Sequence, residues 1–224
     1  MAVLAKKSIL INGRLQEKTL RQHTLDVLSA FTALFGDEQK PKPFAEHWFR
    51  FFQIPDEDRM SFFQCTKAAV ILHDVGKSND HFQEAVKGGG SQSLRHEFLG
   101  GWLLGLESLR NLLESVNTAD FQIIRASVMG HHLKLCRGIM ETADWDRPHI
   151  TLCPEGIQEL FDLFASEFSL QVPSSSQIPS HISLGALSGD FDSIESDLEL
   201  SFEGDTRRIR LLRAARTALI LADS

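Results

Sequence analysis

Apolar residues recur at helical spacing along most of the chain. In residues 20–34 the apolar positions fall three or four residues apart, as on the buried side of an amphipathic helix, and Gly36 follows as a stop. Similar patterns predict helices over residues 44–52, 61–74, 79–88, 94–113, 119–131, 155–168 and 205–222. We therefore predict an all-α fold, in which residues 9–15 are the one segment that suits an extended conformation.

One region departs from this pattern. Residues 173–189 contain three consecutive serines, two prolines and two glycines, which is typical of a loop or a mobile insertion. The acidic residues 190–203 suit either a short helix or a part of the same insertion. Because 224 residues suit one well-packed domain, we predict a single domain over residues 1–224 with a loop or insertion at 173–204.

The composition indicates where the protein works. The chain has no run of about 20 apolar residues, so we expect no membrane span. No apolar segment follows Lys6 and Lys7, as a secretory signal would require. The three cysteines form no Cys-x-x-Cys pair and suit free thiols in a reducing compartment. We therefore predict a cytoplasmic protein.

The candidate chemistry begins at His73-Asp74, which ends a strongly apolar helix and precedes Lys77. An imidazole and a carboxylate suit first-row transition metals, and a carboxylate can hold two such ions close together. As an isolated dipeptide, however, this pair is more often a polar helix end. His131-His132 also end an apolar helix, and a His-His pair alone is more often a surface or capping feature.

Further metal-competent side chains lie at similar places on other predicted helices. His96 begins a helix, His23 lies on the apolar flank of the first helix, and Asp223 ends the last one. Burying so many polar groups costs several kcal/mol unless each is paired or ligated, so we predict that all of them form one metal site. Glu97 is expected to be an exposed helix residue, with a role in supporting a ligand as the alternative. The histidines expected to be structural or on the surface are His47, His81, His149 and His181.

The order of these residues resembles a known family, the HD nuclease domain of the CRISPR-associated nuclease-helicases of type I systems. The local matches are Ala-Lys-Lys-Ser at 5–8, Leu-His-Asp-Val-Gly-Lys at 72–77, Arg-His-Glu at 95–97, Gly-His-His at 130–132 and Arg-x-x-Arg at 213–216, which leads into Leu-Ala-Asp-Ser. They follow one another in order over essentially the whole chain.

The resemblance implies an HD-domain helical fold with a binuclear metal site between helices, which cuts single-stranded DNA by means of an activated water. It implies that one ion is held by His23, His73, Asp74 and Asp223. Asp74 would bridge to a second ion, whose other ligands would be His96, His131 and His132. Asp74 and Lys77 are the expected catalytic residues, and Lys77 would stabilise or position the phosphate. Ligation rich in histidine favours iron, manganese, nickel or cobalt over magnesium alone.

In the family, this domain is usually followed by a helicase that takes DNA from an RNA-guided surveillance complex. This chain ends one residue after Asp223 and contains no Gly-x-x-x-x-Gly-Lys-[Ser/Thr] loop, so we expect no ATPase within it. We expect either an excised domain, which the ending beside a ligand favours, or a stand-alone nuclease subunit. The expected partners are single-stranded DNA, a helicase domain or subunit, and the CRISPR surveillance complex.

The charge of the chain leaves the mode of nucleic-acid contact open. A formal net charge of −7 argues against a general DNA-binding surface, although two bound divalent ions would add about four positive charges beside the phosphate. The strongest basic run lies on the last predicted helix, where the candidate contacts to a DNA backbone are Arg207, Arg210 and Arg213. A contact to the helicase, or a solvated helix face, would explain the same residues.

Two other functions are compatible with the sequence. One is an HD phosphohydrolase that acts on nucleotides or cyclic dinucleotides, which would need a pocket for a base and a sugar. The His131-His132 pair favours a binuclear site, and so argues against a mononuclear triphosphohydrolase. The other is a catalytically inactive HD module that serves as an interaction domain, although every expected type of ligand is present.

Overall fold

The computed structural model describes residues 2–7, 9–11, 14–132, 143–171 and 177–224. Within these residues, ten α-helices are α1 (Leu20–Phe35), α2 (Pro43–Phe52), α3 (Arg59–Leu72), α4 (Asp80–Val86), α5 (His96–Leu104), α6 (Glu107–Glu114), α7 (Phe121–Gly130), α8 (Pro154–Phe168), α9 (Leu184–Phe202) and α10 (Thr206–Asp223). Short antiparallel pairs are formed by β1 (Ile9–Ile11) with β2 (Arg14–Gln16), and by β3 (His149–Thr151) with β4 (His181–Ser183). The predicted all-α class is confirmed, and the segment expected to be extended is β1 and β2.

Polar side chains set the starts of helices that lead to the candidate site. Before α1, Thr19 Oγ1 accepts a hydrogen bond from the backbone N–H of Gln22 at 3.1 Å. Before α7, Asp120 Oδ1 accepts from the two backbone N–H groups at positions 122 and 123. Such bonds satisfy donors that the first turn of a helix leaves without a partner. The starts of the helices that precede or contain His23 and His131 are therefore set by local sequence.

Helix α3 lies at the centre of the fold. Nine of its 14 residues are buried, and the run from Ala68 to Leu72 is fully enclosed. Helices α1, α7, α8 and α10 pack around it. A helix that is apolar on every side is stable only when other elements surround it. The polar pair that follows, His73-Asp74, is therefore carried into the middle of the protein rather than to its surface.

An aromatic cluster fixes α1, α2 and α3 against one another. Phe31 and Phe35 of α1, Phe49 of α2, and Phe62 and Phe63 of α3 are all buried. The centroids of contacting rings lie between 5.1 and 6.5 Å apart. Aromatic pairs at this spacing contribute about 0.5–1.5 kcal/mol each beyond their buried area. The cluster thus holds the helix that bears His23 against the helix that ends at Asp74.

The single helix predicted over residues 94–113 is wrong, because the chain forms α5 and α6 with a break at Gly105. A Cβ atom on Gly105 would lie 2.5 Å from Arg125 Nη2, so the buried guanidinium of α7 occupies the space beside the break. The apolar pattern continues across Gly105, since Leu103 and Leu109 are both buried. Periodicity alone therefore gives no sign of the break.

The loop predicted over residues 173–189 is wrong from His181 onward, and of the two alternatives for residues 190–203 the helix is the one observed. Residues 173–176 lie outside the described residues, but β4 and the 19-residue helix α9 follow. Ser183 Oγ caps α9 by accepting from the backbone N–H of Ala186 at 3.1 Å. The buried positions of α9 recur at helical spacing: Leu184, Leu187, Phe191, Ile194 and Leu198. The apolar stripe outweighs the small residues between them.

The remaining general expectations concern membranes and cysteines. Among the helices of the described ranges, none is both long enough and apolar enough to cross a membrane. Cys65 is buried, Cys153 is partly buried, and both are free thiols. Cys136 lies outside the described residues.

Candidate metal centre

The ends of several helices meet at one point in the interior. α3 ends just before His73 and Asp74, α7 ends just before His131, and α5 begins at His96. The predicted ligands that complete the set are His23 of α1, His132 after α7, and Asp223 of α10. Every side chain predicted to bind metal is thus found in one cluster, although the residues span almost the whole chain.

A glycine allows the two central parts of the cluster to approach each other. After Asp74, residues Val75–Lys77 form a turn of 3-10 helix that packs against the start of α5. A Cβ atom on Gly76 would lie 2.0 Å from the carbonyl oxygen of His96 and 2.7 Å from the backbone nitrogen of Gly100. Since both obstacles are backbone atoms, only glycine fits here. The contact brings Asp74 next to His96.

One carboxylate oxygen of Asp74 faces the histidines of α5 and α7. Asp74 Oδ1 lies 3.2 Å from His96 Nε2 and 3.7 Å from His131 Nε2. The His132 ring lies beside both of these rings, with centroid distances of 4.1 Å to His131 and 5.5 Å to His96. One ligand atom from each of the four residues lies within 4.8 Å of the others. We refer to Asp74, His96, His131 and His132 as the Oδ1 group.

The other oxygen of Asp74 faces α1 and the end of α3. Asp74 Oδ2 lies 3.3 Å from both His23 Nε2 and His73 Nε2. Asp223 Oδ1 approaches the same two nitrogens, at 3.1 Å from His23 and 3.6 Å from His73. We refer to Asp74, His23, His73 and Asp223 as the Oδ2 group. The two oxygens of one buried carboxylate therefore face different sets of ligands, although ligand atoms of His73, His131 and Asp223 also lie within 4.8 Å of one another.

The atoms at the centre of the cluster have no hydrogen-bond partner among the described residues. The buried atoms concerned are Asp74 Oδ1 and the Nε2 atoms of His73, His96 and His131. Leaving a polar group buried without a partner costs about 1–3 kcal/mol. Two atoms bound to one ion at about 2.1 Å lie roughly 3.0–3.4 Å apart, which is close to the separations measured here. Both observations fit a cluster built to hold transition-metal ions.

Backbone carbonyl groups set the ring orientation of two histidines. His73 Nδ1 lies 2.8 Å from the carbonyl oxygen of Val70, and His131 Nδ1 lies 2.6 Å from that of Val128. A carbonyl oxygen can only accept, so each Nδ1 carries a proton and donates it. In the neutral ring, the lone pair is therefore on Nε2, which faces Asp74. This is the arrangement in which a histidine binds a metal ion.

The two carboxylates of the Oδ2 group favour protonated histidines. Hydrogen bonds to Asp223 and Asp74 raise the pKa of His23. Burial lowers the pKa of His73, but the charge of Asp74 and the contacts with Asp223 outweigh it and raise the pKa to about 10. Burial disfavours the charged form of Asp74, yet His73 and the other histidines hold its pKa well below the usual range. A metal ion bound to these histidines must therefore displace protons.

The Oδ1 group has the opposite balance. Burial lowers the pKa of His96. Burial and the neighbouring rings of His131 and His96 lower the pKa of His132 to about 4. Because these shifts favour the neutral rings at neutral pH, their nitrogen lone pairs are available without the loss of a proton.

Lys77 contacts the bridging carboxylate directly. Its Nζ donates to Asp74 Oδ2 at 2.6 Å and lies 5.4 Å from the centroid of the Phe82 ring. The side chain is largely buried, so its ammonium is held at the edge of the cluster. One hydrogen bond uses one of the three donors of an ammonium group.

The histidines expected to lie outside the site do so. His47, His149 and His181 are exposed, and His81 is buried with its Nδ1 2.5 Å from Ser93 Oγ. The expectation for Glu97 is wrong, because only 1% of its surface is exposed. Its burial beside His96 favours the alternative expectation, a role in supporting a ligand.

The basic residues of α10 divide into two kinds. Arg207 forms two hydrogen bonds with Asp58, at 2.5 and 2.6 Å, and so ties α10 to the start of α3. Arg210 and Arg213 are exposed, and neither side chain makes a hydrogen bond or an ion pair within the described residues. Arg216 Nε donates to the carbonyl oxygen of Gly130 at 2.7 Å, next to the paired histidines.

Comparisons with known proteins give a family and a fold for the chain. A family model described as Cas3, HD domain matches residues 5–184. Among solved structures, the chain is similar to a CRISPR-associated Cas3 HD domain protein from Methanocaldococcus jannaschii, with 19% sequence identity, a TM-score of 0.50 and 100% of each chain covered. At this identity the likeness shows the fold alone. The search of curated proteins gave no match. Asp223 lies beyond the residues that the family model matches, so its place in the cluster rests on the geometry.

Proposed function

The chain belongs to the Cas3 HD domain family, and we propose that it is a metal-dependent nuclease that hydrolyses single-stranded DNA with two divalent ions. Membership of this family makes it a CRISPR-associated protein of the HD type, a class of metal-dependent phosphohydrolases. The number of ions and the single-stranded substrate are the finer parts of the proposal. The number of ions is supported by the geometry of the cluster, and the single-stranded substrate is supported by the resemblance to the family.

The observation that most supports two ions is the division of ligands by Asp74. Its Oδ1 faces His96 and His131, and its Oδ2 faces His23 and His73. A carboxylate between two ions gives one oxygen to each, so that each oxygen is surrounded by the other ligands of its ion. The division therefore favours one ion beside each oxygen of Asp74.

In the proposed site, each group of residues holds one ion. The Oδ1 group supplies three imidazoles and the Oδ2 group supplies two imidazoles and the carboxylate of Asp223. Such donors suit iron, manganese, nickel or cobalt better than magnesium alone. When bound, paired divalent ions lower the pKa of a water and stabilise the charge that develops on phosphoryl oxygens. The protein fixes the ligands, and supplies the negative charge that holds the ions.

Lys77 is proposed to act on both the cluster and the phosphate. Its bond to Asp74 Oδ2 keeps the carboxylate plane in place, which decides the direction of both oxygens. The two remaining donors of the ammonium can meet an oxygen of the phosphate that lies at the cluster. Asp74 and Lys77 are therefore the proposed catalytic residues.

The substrate is proposed to reach the cluster along the exposed side of α10. Arg210 and Arg213 lie three residues apart, on one exposed side of the helix that ends at Asp223. Their free cations suit a DNA backbone. We propose that a helicase domain or subunit delivers the strand from an RNA-guided surveillance complex.

The test offers the metal-loaded chain a set of substrates in parallel. Circular single-stranded DNA, duplex DNA, mononucleotides and cyclic dinucleotides would each be incubated with manganese, cobalt, nickel or magnesium. We expect cleavage of the circular single strand, with manganese or cobalt more effective than magnesium. Hydrolysis of only the small molecules would replace the nuclease with a nucleotide phosphohydrolase.

A matched pair of variants shows whether the cleavage belongs to this site. Asp74→Asn removes the bridging charge, whereas Asp26→Asn removes an exposed carboxylate from α1, the helix that bears His23. Cleavage should disappear in the first variant and persist in the second. Equal activity in both would mean that the cluster is not the active site, and an inactive, metal-free wild-type chain would point to an interaction module.

A further inference from the structure

Glu97 is a buried carboxylate behind one of the proposed ligands. Its Oε1 accepts a hydrogen bond from Arg95 Nη2 at 2.9 Å. Its Oε2 is buried and has no hydrogen-bond partner among the described residues, but it lies 3.4 Å from His96 Nδ1. A buried carboxylate is costly unless its oxygens are paired. Glu97 therefore needs the proton that His96 can supply.

The position of His96 in its helix explains why a side chain is used there. His73 and His131 follow the last turns of α3 and α7, and each donates its Nδ1 proton to the carbonyl oxygen three residues earlier. His96 is instead the first residue of α5, so no helical turn precedes it. An acceptor for its Nδ1 proton has to come from elsewhere. Glu97 Oε2 is placed to be that acceptor.

We propose that Glu97 is the positioning residue for His96: its carboxylate accepts the Nδ1 proton and so directs Nε2 at Asp74 Oδ1. The inference deepens the proposed function and depends on it, because it assigns a role in holding a metal ligand. Carboxylates behind metal-binding histidines fix the orientation of the ring and raise the basicity of the ligating nitrogen. Arg95 completes the arrangement, because it holds the other oxygen of Glu97.

A helix-stabilising role does not account for the burial of Glu97. An acidic residue in the first turn of a helix interacts favourably with the helix dipole, but it can do so while exposed. Glu107, in the first turn of α6, is such an exposed residue. A comparison of variants at Glu97 and Glu107 therefore separates an interaction with the helix dipole from the positioning of His96.

The test measures metal binding directly, with cobalt as the probe. Metal-free wild type, Glu97→Ala, Glu97→Gln and Glu107→Ala would be titrated with Co²⁺ by calorimetry, while the visible absorption reports the ligand field. We expect Glu97→Ala to weaken one of two binding steps by about 10–100-fold and to change the spectrum. Glu97→Gln, which still offers an acceptor oxygen, should weaken it less. Glu107→Ala should match the wild type.

A double-mutant cycle distinguishes positioning from a structural effect. In a His96→Ala background, Glu97→Gln should cause no further loss of cobalt affinity, because the ligand that it positions is absent. Additive losses, or equal affinities of Glu97→Ala, Glu97→Gln and wild type, would overturn the proposal for Glu97 and leave the two-ion site intact. A wild-type chain that binds no cobalt would overturn both. If Glu97→Ala fails to fold, the nearly isosteric glutamine variant decides.

Discussion

Charged residues have different roles at the two ends of helix α10: a functional role at one end and a structural role at the other. At its C-terminal end, Asp223 faces His23 and His73 in a buried cluster that includes unpaired polar atoms. Near its N-terminal end, Arg207 is fully engaged by the two oxygens of Asp58. Both ends were candidates for function from the sequence, and both contain charged groups in contact with opposite charges.

The difference between the two ends lies in whether the polar atoms are satisfied. Arg207 and Asp58 meet in a two-bond geometry that needs no third group. In the cluster, nitrogen and oxygen atoms lie 3.1–3.7 Å apart, but several of them make no hydrogen bond with any residue that the structure describes. Such an arrangement is costly unless a ligand completes it. The functional end of α10 is therefore distinguished by polar atoms that lie close together without hydrogen bonds, and not by charge.

The largest expected effect comes from removing the carboxylate of Asp74, which lies in the cluster that the C-terminal end of α10 joins, and Asp58 at the other end of α10 provides the comparison. Asp74→Ala should lower the rate of DNA cleavage by at least about 100-fold and abolish the binding of both ions, because both groups lose their shared ligand. Asp58→Ala should lower the melting temperature but leave the cleavage rate within about twofold. Nuclease assays, cobalt titration and thermal unfolding would measure these effects. The contrast between the two ends would be broken if Asp58→Ala were also inactive while folded.

The pH dependence of metal binding should differ between the two groups of ligands. The pKa of His73 is raised to about 10, so below that pH a proton must leave before an ion binds to the Oδ2 group. Affinity there should rise with pH by about tenfold per unit between pH 6 and 9, for one displaced proton. The Oδ1 group should show a weaker dependence, because the pKa of His132 is lowered to about 4.

Calorimetry in buffers of different ionisation enthalpy counts the displaced protons for each binding step. One step should release about one proton more than the other at pH 7. Two steps with the same proton release would mean that the two groups are not electrostatically distinct.

A smaller effect is expected from the backbone contact that joins the two halves of the cluster. Gly76→Ala would place a Cβ atom 2.0 Å from the carbonyl oxygen of His96, so the turn must move away from α5. We expect a loss of about 1–3 kcal/mol in the free energy of unfolding, with weaker cobalt binding. Gly185→Ala in α9 meets nothing within 4 Å and should leave binding unchanged. Denaturant unfolding would measure the stability of both variants, and a Gly76→Ala variant with wild-type stability would contradict the prediction.

The smallest effect is expected on the exposed face of α10. Replacing both Arg210 and Arg213 with alanine should weaken single-stranded DNA binding several-fold and reduce the slope of log affinity against log salt by about 0.7 for each lost phosphate contact. Arg207→Ala should lower the melting temperature and leave the salt slope unchanged, since Asp58 already engages its cation. Fluorescence anisotropy at several salt concentrations would measure both variants. Equal slopes in all proteins would remove these arginines from the DNA path.

Much of the fold follows from local patterns in the sequence. The apolar stripe of α1 and the fully apolar end of α3 predict both helices close to their observed bounds. The burial of α3 also explains why His73 and Asp74 could be assigned to the interior. A polar residue that directly follows a buried apolar helix lies in the interior rather than at the surface. The candidate ligands could therefore be identified from sequence alone.

Features that depend on packing between distant segments could not be predicted. Arg207 pairs with Asp58, which lies 149 positions away, and no local pattern relates them. Glu97 is buried at the start of α5, against which the distant turn at Gly76 packs. The stripe of α9 was present in the sequence, but glycine and serine are only weak evidence of a loop when apolar residues keep helical spacing.

We propose that Asp74 bridges two ions, one on each carboxylate oxygen. Anomalous diffraction from crystals of the manganese- or cobalt-loaded chain would locate bound ions directly. The account predicts two peaks within about 4 Å of each other, one beside Oδ1 with His96 and His131 and the other beside Oδ2 with His23 and His73. A single fully occupied peak in an active crystal, or ions that do not contact Asp74, would contradict it.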